Sequence, residues 1–396
     1  MNPFNYSKAK LNEIFSDVKM LYQDNIEDVV SEYVLRGLKR LLEGAMKAEV
    51  MGYLKASYYE RTGVRVDYRN GYRYRDLCTK FGYIRRLRVP RVKRCGYQPG
   101  VFKRYQRRWA QVNQFIRDIF INGVSTRNVG VMLELLVGRS VSASVVSEVN
   151  KVLDQEVRAF HRRVLKDEYI YLFLDGVWQR VVSCGQVVRK VVLVAYGVRG
   201  DGGREVIDFW VAKNESESEW FGFLNSLYRR GLVGGGLRLI ITDGGLGLLR
   251  ALDMVYPGIK RQRCWVHKLR NVAKYLPRRY QAECLSEVKR IYGAVNYRAA
   301  LSYYKGWVKK WCELVPKAVA CLERDIEDLL VFFQEKKELW RKLRTTNVIE
   351  GLFKELRRRT RPMSIFVNVA SCERIIFALF NKYNKKWKEH RYVIIH

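Results

Sequence analysis

Apolar positions recur at helical spacing between residues 8 and 60, where Val30, Tyr33, Val34, Leu38, Leu41 and Leu42 fall on one face. That spacing predicts a helical N-terminal region over residues 1–60. The pattern then changes. Across 61–112 apolar residues alternate with charge, and GYIRRLRVPRVKRCGYQPG reads as short strands and turns. Helical spacing returns over 113–160 in two pieces. STRNVGVMLELL follows Ser125, SASVVSEVNKVL follows Ser142 or Ser144, and Gly138 breaks the chain between them. A serine at each start offers the oxygen that caps the first free amides of a helix. Two short helices across a tight break predict a helix-turn-helix, whose second helix points Ser144, Ser147 and Lys151 towards a DNA major groove.

From about residue 165 the pattern becomes α/β. YIYLFLD is a near-continuous apolar run ending at Asp175, as in a strand buried on both faces. KVVLVAYGV and EVIDFWVA follow through short links and predict an antiparallel meander. A helix (SEWFGFLNSLYRRGL), a fourth strand (LRLIITD, ending at Asp243), a helix (LGLLRALDMVY) and a short strand (KRQRCWVH) complete the unit. This β-β-β-α-β-α order sets the first and fourth strands side by side in a ribonuclease H-like sheet over 165–272. Residues 273–342 read as all helix. Residues 343–396 return helices to the core, the first beginning near Thr345 and carrying Glu350. The predicted fold is an α/β ribonuclease H-like core with an all-helical insertion, preceded by a mainly helical DNA-binding region.

Charge narrows the function classes. The chain holds 74 Lys and Arg against 40 Asp and Glu, a net charge of +34. Such an imbalance calls for a polyanion, and nucleic acid is the natural one, because phosphate contacts release counterions. An anionic membrane is the rival, but no apolar run of about 18 residues is present to span one. The N-terminus MNPFNYSKAK has no apolar signal-peptide core, so the cytosol is the expected compartment. The eight cysteines are scattered singly, as reduced thiols would be. Sixteen Lys and Arg against three acids crowd residues 60–108, interleaved with tyrosines. That density marks Arg85, Arg86, Arg88, Arg91, Lys93 and Arg94 as DNA contacts.

Alone, an aspartate ending a strand reads as a turn or helix cap, and a helical glutamate as solvated. Together they change the picture. Asp175 and Asp243 both end apolar strands, where a desolvated carboxylate needs a compensating cation. Mg²⁺ takes one or two carboxylates with waters and phosphate oxygens. Two such ions about 3.5–4 Å apart serve in-line phosphoryl transfer. Glu350 borders the apolar face formed by Ile349, Leu352, Phe353 and Leu356 and can reach inwards. Glu355 shares that helix but lies about 140° round its axis, so only one of the two can face a metal pair.

Four runs occur in order: LDGVW at 174–178, ITDGGLGLLRAL at 241–252, QRCWVHKLRN at 262–271 and TTNVIEGLFKELRRRT at 345–360. With YRNGYRYRDLCTKFGYIRRLRVPR and GVSTRNVGVMLELLVGRSVSASVVSEV upstream, they resemble the Mutator-type transposases of prokaryotic insertion sequences, from about residue 40 to 385. The resemblance implies Asp175, Asp243 and Glu350 as an acidic triad that holds two Mg²⁺ or Mn²⁺ ions. It implies cleavage that frees a 3′-hydroxyl, then attack by that hydroxyl on a second phosphodiester. It implies binding of terminal inverted repeats through residues 1–160, double-stranded DNA of element ends and target as partner, a homodimer or larger assembly, and a nucleoid-associated cytoplasmic location. A nuclease of the same fold that does not join ends, or a domesticated inactive DNA-binding protein, would share much of the pattern. Cys264 and His267 match the family's CxxH motif; zinc is not expected there, since a structural site wants four ligands. Core packing suits Cys264, and contact with phosphate or with the triad suits His267, Arg270, Asn347 and Arg357. Gly351 and Phe353 stand where the family usually has Arg and Asn, Val367 replaces a usual Pro, and Gly244 and Gly245 replace other small or polar residues.

Overall fold

The computed structural model describes residues 26–389, apart from Cys95 and Gly123. The helical spacing expected over 8–25 lies outside the described residues. The chain divides between Asn150 and Lys151 into two compact units.

In the first unit, α1 (Ile26–Leu54) packs on an antiparallel ribbon of β1 (Arg69–Thr79) and β2 (Gly82–Val92). The ribbon replaces the short strands expected between 61 and 112; each strand is 11 residues long. Strand alternation explains its two faces. Leu77, Ile84, Leu87 and Val89 turn inwards against Leu42 and Met46 of α1, while Arg85, Arg86, Arg88 and Arg91 stay exposed. Beyond it come α2 (Ala110–Ile121), α3 (Thr126–Val137) and α4 (Ala143–Lys151), whose Val112, Ile116, Val129, Leu133, Val146 and Val149 share a core with Cys78. The start and stop signals of α3 work as the sequence suggests. Ser125 Oγ accepts from the Asn128 amide at 3.2 Å, and Gly138 (φ 70°) ends the helix in the left-handed region. Gly130 is required by close approach, since a Cβ there would lie 2.5 Å from the Val141 carbonyl oxygen.

The second unit begins with α5 (Leu153–Arg162) and is built on one five-stranded sheet, ordered β5-β4-β3-β6-β7. Its strands are β3 (Tyr169–Ser183), β4 (Gln186–Arg199), β5 (Arg204–Ala212), β6 (Leu239–Thr242) and β7 (Arg261–Arg263). β3, β4 and β5 form the antiparallel meander, and β6 and β7 add in parallel. The first and fourth strands are neighbours, compatible with a ribonuclease H-like core. α6 (Glu217–Arg229) and α7 (Leu246–Val255) cover one face through Trp220, Phe223, Leu224, Leu248 and Leu252.

Two strand expectations are corrected. β3 does not end at Asp175 but runs on to Ser183, because β4 pairs with it along its whole length. It is the parallel partner β6 that stops, its last pair being Leu174 with Thr242. KRQRCWVH is a strand only over Arg261–Arg263; Trp265 already begins a helix.

Residues 265–343 form α8 (Trp265–Ala273), α9 (Arg278–Tyr292), α10 (Tyr297–Trp311), α11 (Pro316–Glu323), α12 (Ile326–Leu330), a 3-10 turn (Val331–Gln334) and α13 (Lys337–Leu343). Gln262 of β7 fixes this segment to the sheet. Its buried amide donates to Leu329 O at 2.9 Å and accepts from Phe332 N at 2.8 Å. Beside it the buried Asp325 carboxylate bridges Lys268 of α8 and Arg263 of β7. α14 (Asn347–Met363) and α15 (Val369–Glu389) close the unit.

Because Lys268 is 4% exposed, removing its counter-charge leaves a desolvated cation. Asp325→Ala is expected to cost about 3–5 kcal/mol, read as a fall in the denaturant midpoint of the full chain. A loss below about 1 kcal/mol would show that the Asp325 bridge to Lys268 and Arg263 carries little of the docking energy.

Candidate active site

Register places the acidic residues. Leu174 pairs with Thr242, so Asp175 on β3 and Asp243, just past the end of the parallel β6, follow at the same level. Asp175 is 7% exposed and Asp243 half-buried. Each carboxylate takes one nearby amide: Gly176 N donates to Asp175 Oδ1 at 2.8 Å, and Gly245 N to Asp243 Oδ1 at 3.0 Å. α7 begins at Leu246, so the positive end of its dipole lies beside Asp243. Burial, and then the negative charge of Asp243, push the Asp175 carboxyl up to about 7; Glu350 adds to the push and His267 opposes it.

Gly244 has a reason to be glycine. Its φ is +82°, and a Cβ would meet the Arg263 guanidinium, which donates to the Gly244 carbonyl. The departure from the family pattern at this position thus matches the local backbone.

Glu350 is delivered from far along the chain by a helix held at both ends. At its start, Thr346 donates through N and Oγ1 to the buried Cys264 sulfur, both at 3.3 Å, while Trp265 N donates to Arg344 O at 3.0 Å. Just beyond its end, Phe366 exchanges backbone hydrogen bonds with Arg180 and Val182 of β3, at 2.9 and 2.8 Å. Ile349, Leu352, Phe353 and Leu356 form the buried face between these points. Glu350 then lies 3.8 Å from His267 Nε2 and 3.5 Å from Arg270 Nη1. Glu355 turns elsewhere, to Arg358 at 3.0 Å. Gly351 faces open space and Val367 is exposed, whereas Phe353 is part of the core.

Cys264 packs as a core residue, 1% exposed, at the N-cap of α8. Desolvation pushes its thiol up, but hydrogen bonds with His267 and Thr346 outweigh that and hold it below its usual range. His267, one turn into α8, is raised to about 9, first by the Cys264 sulfur and further by Asp175 and Asp243, against the pull of burial. Its buried Nδ1 has no hydrogen-bond partner among the described residues.

Asp175, Asp243, Cys264, His267, Arg270 and Glu350 therefore come together. Asn347 and Arg357 are exposed on α14. In the other unit, Arg85, Arg86, Arg88, Arg91, Lys93 and Arg94 are exposed along and just after β2, and Ser144, Ser147 and Lys151 share the exposed face of α4. Sequence reasoning missed Glu215. It lies in the turn before α6, its Oε1 3.2 Å from where a Gly176 Cβ would be. Burial, then the charge of Asp243, raise its carboxyl. The only signal in the sequence was an acid just ahead of the Ser216 cap.

Among the described residues, no three His, Cys, Asp or Glu side chains close into a metal cage. The donor chemistry still suits a hard divalent cation, because a buried and a half-buried carboxylate lie within electrostatic reach of each other, and among the described residues neither forms a salt bridge with a Lys, Arg or His. No helix among the described residues is long and apolar enough to cross a membrane.

Comparison with known proteins identifies the family. The family described as "Transposase, Mutator family" matches residues 10–390. The chain is 34% identical to the transposase for insertion sequence element ISRM5 of Rhizobium meliloti, over 95% of this chain and 92% of that protein. It is 35% identical to the transposase for IS406 of Burkholderia multivorans, over 88% and 90%. It is 32% identical to the transposase for IS256 in transposon Tn4001 of Staphylococcus aureus, over 94% of both. The chain belongs to the Mutator family of transposases.

The raised Asp175 carboxyl generates a test. In metal-free protein the folded state binds a proton there up to pH about 7, whereas an unfolded aspartate releases it near 3.8. The stabilising proton is present below the unfolded value and lost as pH rises through 7. His267 acts in the same direction between 6.5 and about 9. Metal-free stability is thus expected to fall from pH 4 to 9, and Asp175→Asn to raise the melting temperature at pH 8 while flattening the acid half of that slope. A melting temperature unchanged or lowered at pH 8 would show that Asp175 is not electrostatically frustrated.

Proposed function

We propose that this protein is the DNA transposase of an insertion sequence, a DDE enzyme whose acidic triad is Asp175, Asp243 and Glu350. The observation that carries the reading is the buried Asp175 carboxyl on β3 beside Asp243 at the end of β6, with Glu350 within electrostatic reach, in a chain of this family. The triad would hold two Mg²⁺ or Mn²⁺ ions, which when bound would supply activation of the attacking oxygen and stabilisation of the leaving one. Glu215 deepens the negative field that draws them. His267, protonated at neutral pH, and Arg270 now rest against Glu350 and are placed to hold a phosphate oxygen. Asn347 and Arg357, exposed on the same helix, extend that contact along the DNA backbone. Cys264 positions rather than reacts, since its sulfur is engaged by Thr346.

In this reading residues 1–160 bind the terminal inverted repeats, with α3 and α4 as the helix-turn-helix and the arginines of β2 on phosphates. Residues 165–272 and 343–396 make a ribonuclease H-like core, and 273–342 a helical insertion. Two element ends held together require a dimer or larger assembly.

Asp175→Asn, Asp243→Asn and Glu350→Gln are each expected to abolish cleavage and joining of end-containing DNA in Mg²⁺ or Mn²⁺, with duplex binding kept. Glu355→Gln is expected to keep both, losing at most about 1 kcal/mol of stability with its Arg358 contact. Full cleavage by either aspartate variant would sink the triad. Inactivity of Glu355→Gln with an active Glu350→Gln would exchange the two glutamates. Cleavage by the parent chain without strand transfer would make it a nuclease of the same fold.

A further inference from the structure

The first unit contains a groove of about 560 Å³ between the β1–β2 ribbon and the turn that joins α3 to α4. Six arginines line it: Arg73 and Arg75 from β1, Arg104, Arg107 and Arg108 from the segment before α2, and Arg139 from the turn. Only one carboxylate, Asp76, is among the lining residues. It is already engaged, accepting from Tyr83 Oη at 2.6 Å and Arg86 N at 2.9 Å, and it lies 3.5 Å from Arg139. No other arginine of the six has a carboxylate partner among the described residues. Arg75 shows the strain of this crowding. Burial, then the like charges of Arg73 and Arg107, pull it below its usual range. So many guanidinium groups around one carboxylate repel each other unless an anion enters.

Six guanidinium groups carry more donors than one small anion can take up, which suits a chain of phosphates. They come from three separated segments: β1, the stretch before α2 and the turn between α3 and α4. Ser140 and Ser142 also line the groove beside Arg139, just before α4 begins. Flat side chains hold several of the cations in place. Arg139 stacks on Tyr83 at 4.3 Å, Arg75 on Phe102 at 4.2 Å and Arg104 on Tyr105 at 5.2 Å. Arg108 is fixed by Asn113 at 2.9 Å. Stacked guanidinium groups keep their donors aimed outwards, which suits bidentate contact with phosphate.

We propose that this groove clamps the sugar–phosphate backbone of one strand of duplex DNA, as a grip independent of base sequence and separate from the exposed arginines of β2. The proposal rests on the DNA-binding reading above and adds the place and manner of the grip. Backbone contacts set position and orientation, while the exposed face of α4 next to the groove, with Ser144 and Ser147, is left to meet base edges.

The test uses the full chain. Arg73, Arg104 and Arg107 are exposed, and their side chains have no hydrogen-bond or carboxylate partner among the described residues, so replacing them together should leave the fold intact, checked by an unchanged melting temperature. In R73Q/R104Q/R107Q, the slope of log affinity against log salt should shrink by about 2–3, with the same fold-loss on end DNA and on random duplex. The variant with lysine at all three positions should recover most of the slope, because charge is kept. A parent chain that binds duplex tightly and a glutamine variant with the parent's slope would overturn the groove alone. Loss confined to end DNA would overturn the backbone grip in favour of base reading. A parent chain that binds no duplex DNA, or that prefers RNA or an acidic protein at equal salt, would overturn the DNA reading together with the groove.

Discussion

The second unit of this protein is organised around a carboxylate that its own fold makes uncomfortable. Asp175 is almost wholly buried in the middle of the longest strand, beside Asp243 and within reach of Glu350. Burial disfavours its charge, and its acidic neighbours add to the cost. Local features offset this only in part: one amide on each aspartate, the first turn of α7, and a protonated His267. A site that stays frustrated until a divalent cation and a phosphate arrive binds them more strongly than a relaxed one.

Delivering the third carboxylate is a mechanical problem, since more than a hundred residues separate Asp243 from Glu350. The solution is a helix pinned at both ends. Its cap residue, Thr346, is tied to the Cys264 sulfur at the start of α8, and the residue shortly after it, Phe366, is stitched to β3. The helical segment between β7 and α14 can therefore be long, because Gln262 and Asp325 fix it beside the same strand edge. Cys264 and His267 belong together for this reason. One holds the helix that carries Glu350, and the other meets the glutamate it delivers.

The two units share a charge logic with opposite signs. The second brings Asp175, Asp243, Glu215 and Glu350 into one another's electrostatic reach. The first concentrates arginines over a ribbon and a groove, with aromatic rings that keep them extended. In the proposed function the two are complementary: the arginines hold DNA by its phosphates, and the acidic cluster is the centre to which a few of those phosphates are brought.

Much of this was legible from the residues. Period-two and period-3.6 patterns located most elements, Ser125 and Gly138 bounded α3, and the strand order alone placed Asp175 beside Asp243. These features depend on local periodicity, caps and backbone geometry, which the chain carries in its own order. The end of β3 was misread because an apolar run says where burial stops, not where pairing stops; β4 pairs through the polar stretch to Ser183. Burial of flanking positions could not separate Glu350 from Glu355, since both border one apolar face. Packing against α8 and β3 turns the first towards the aspartates, and Arg358 takes the second. Glu215 and the arginine groove were invisible for the same reason. Each is made by side chains from segments far apart in the chain, and only tertiary folding sets the distances on which their electrostatics depend.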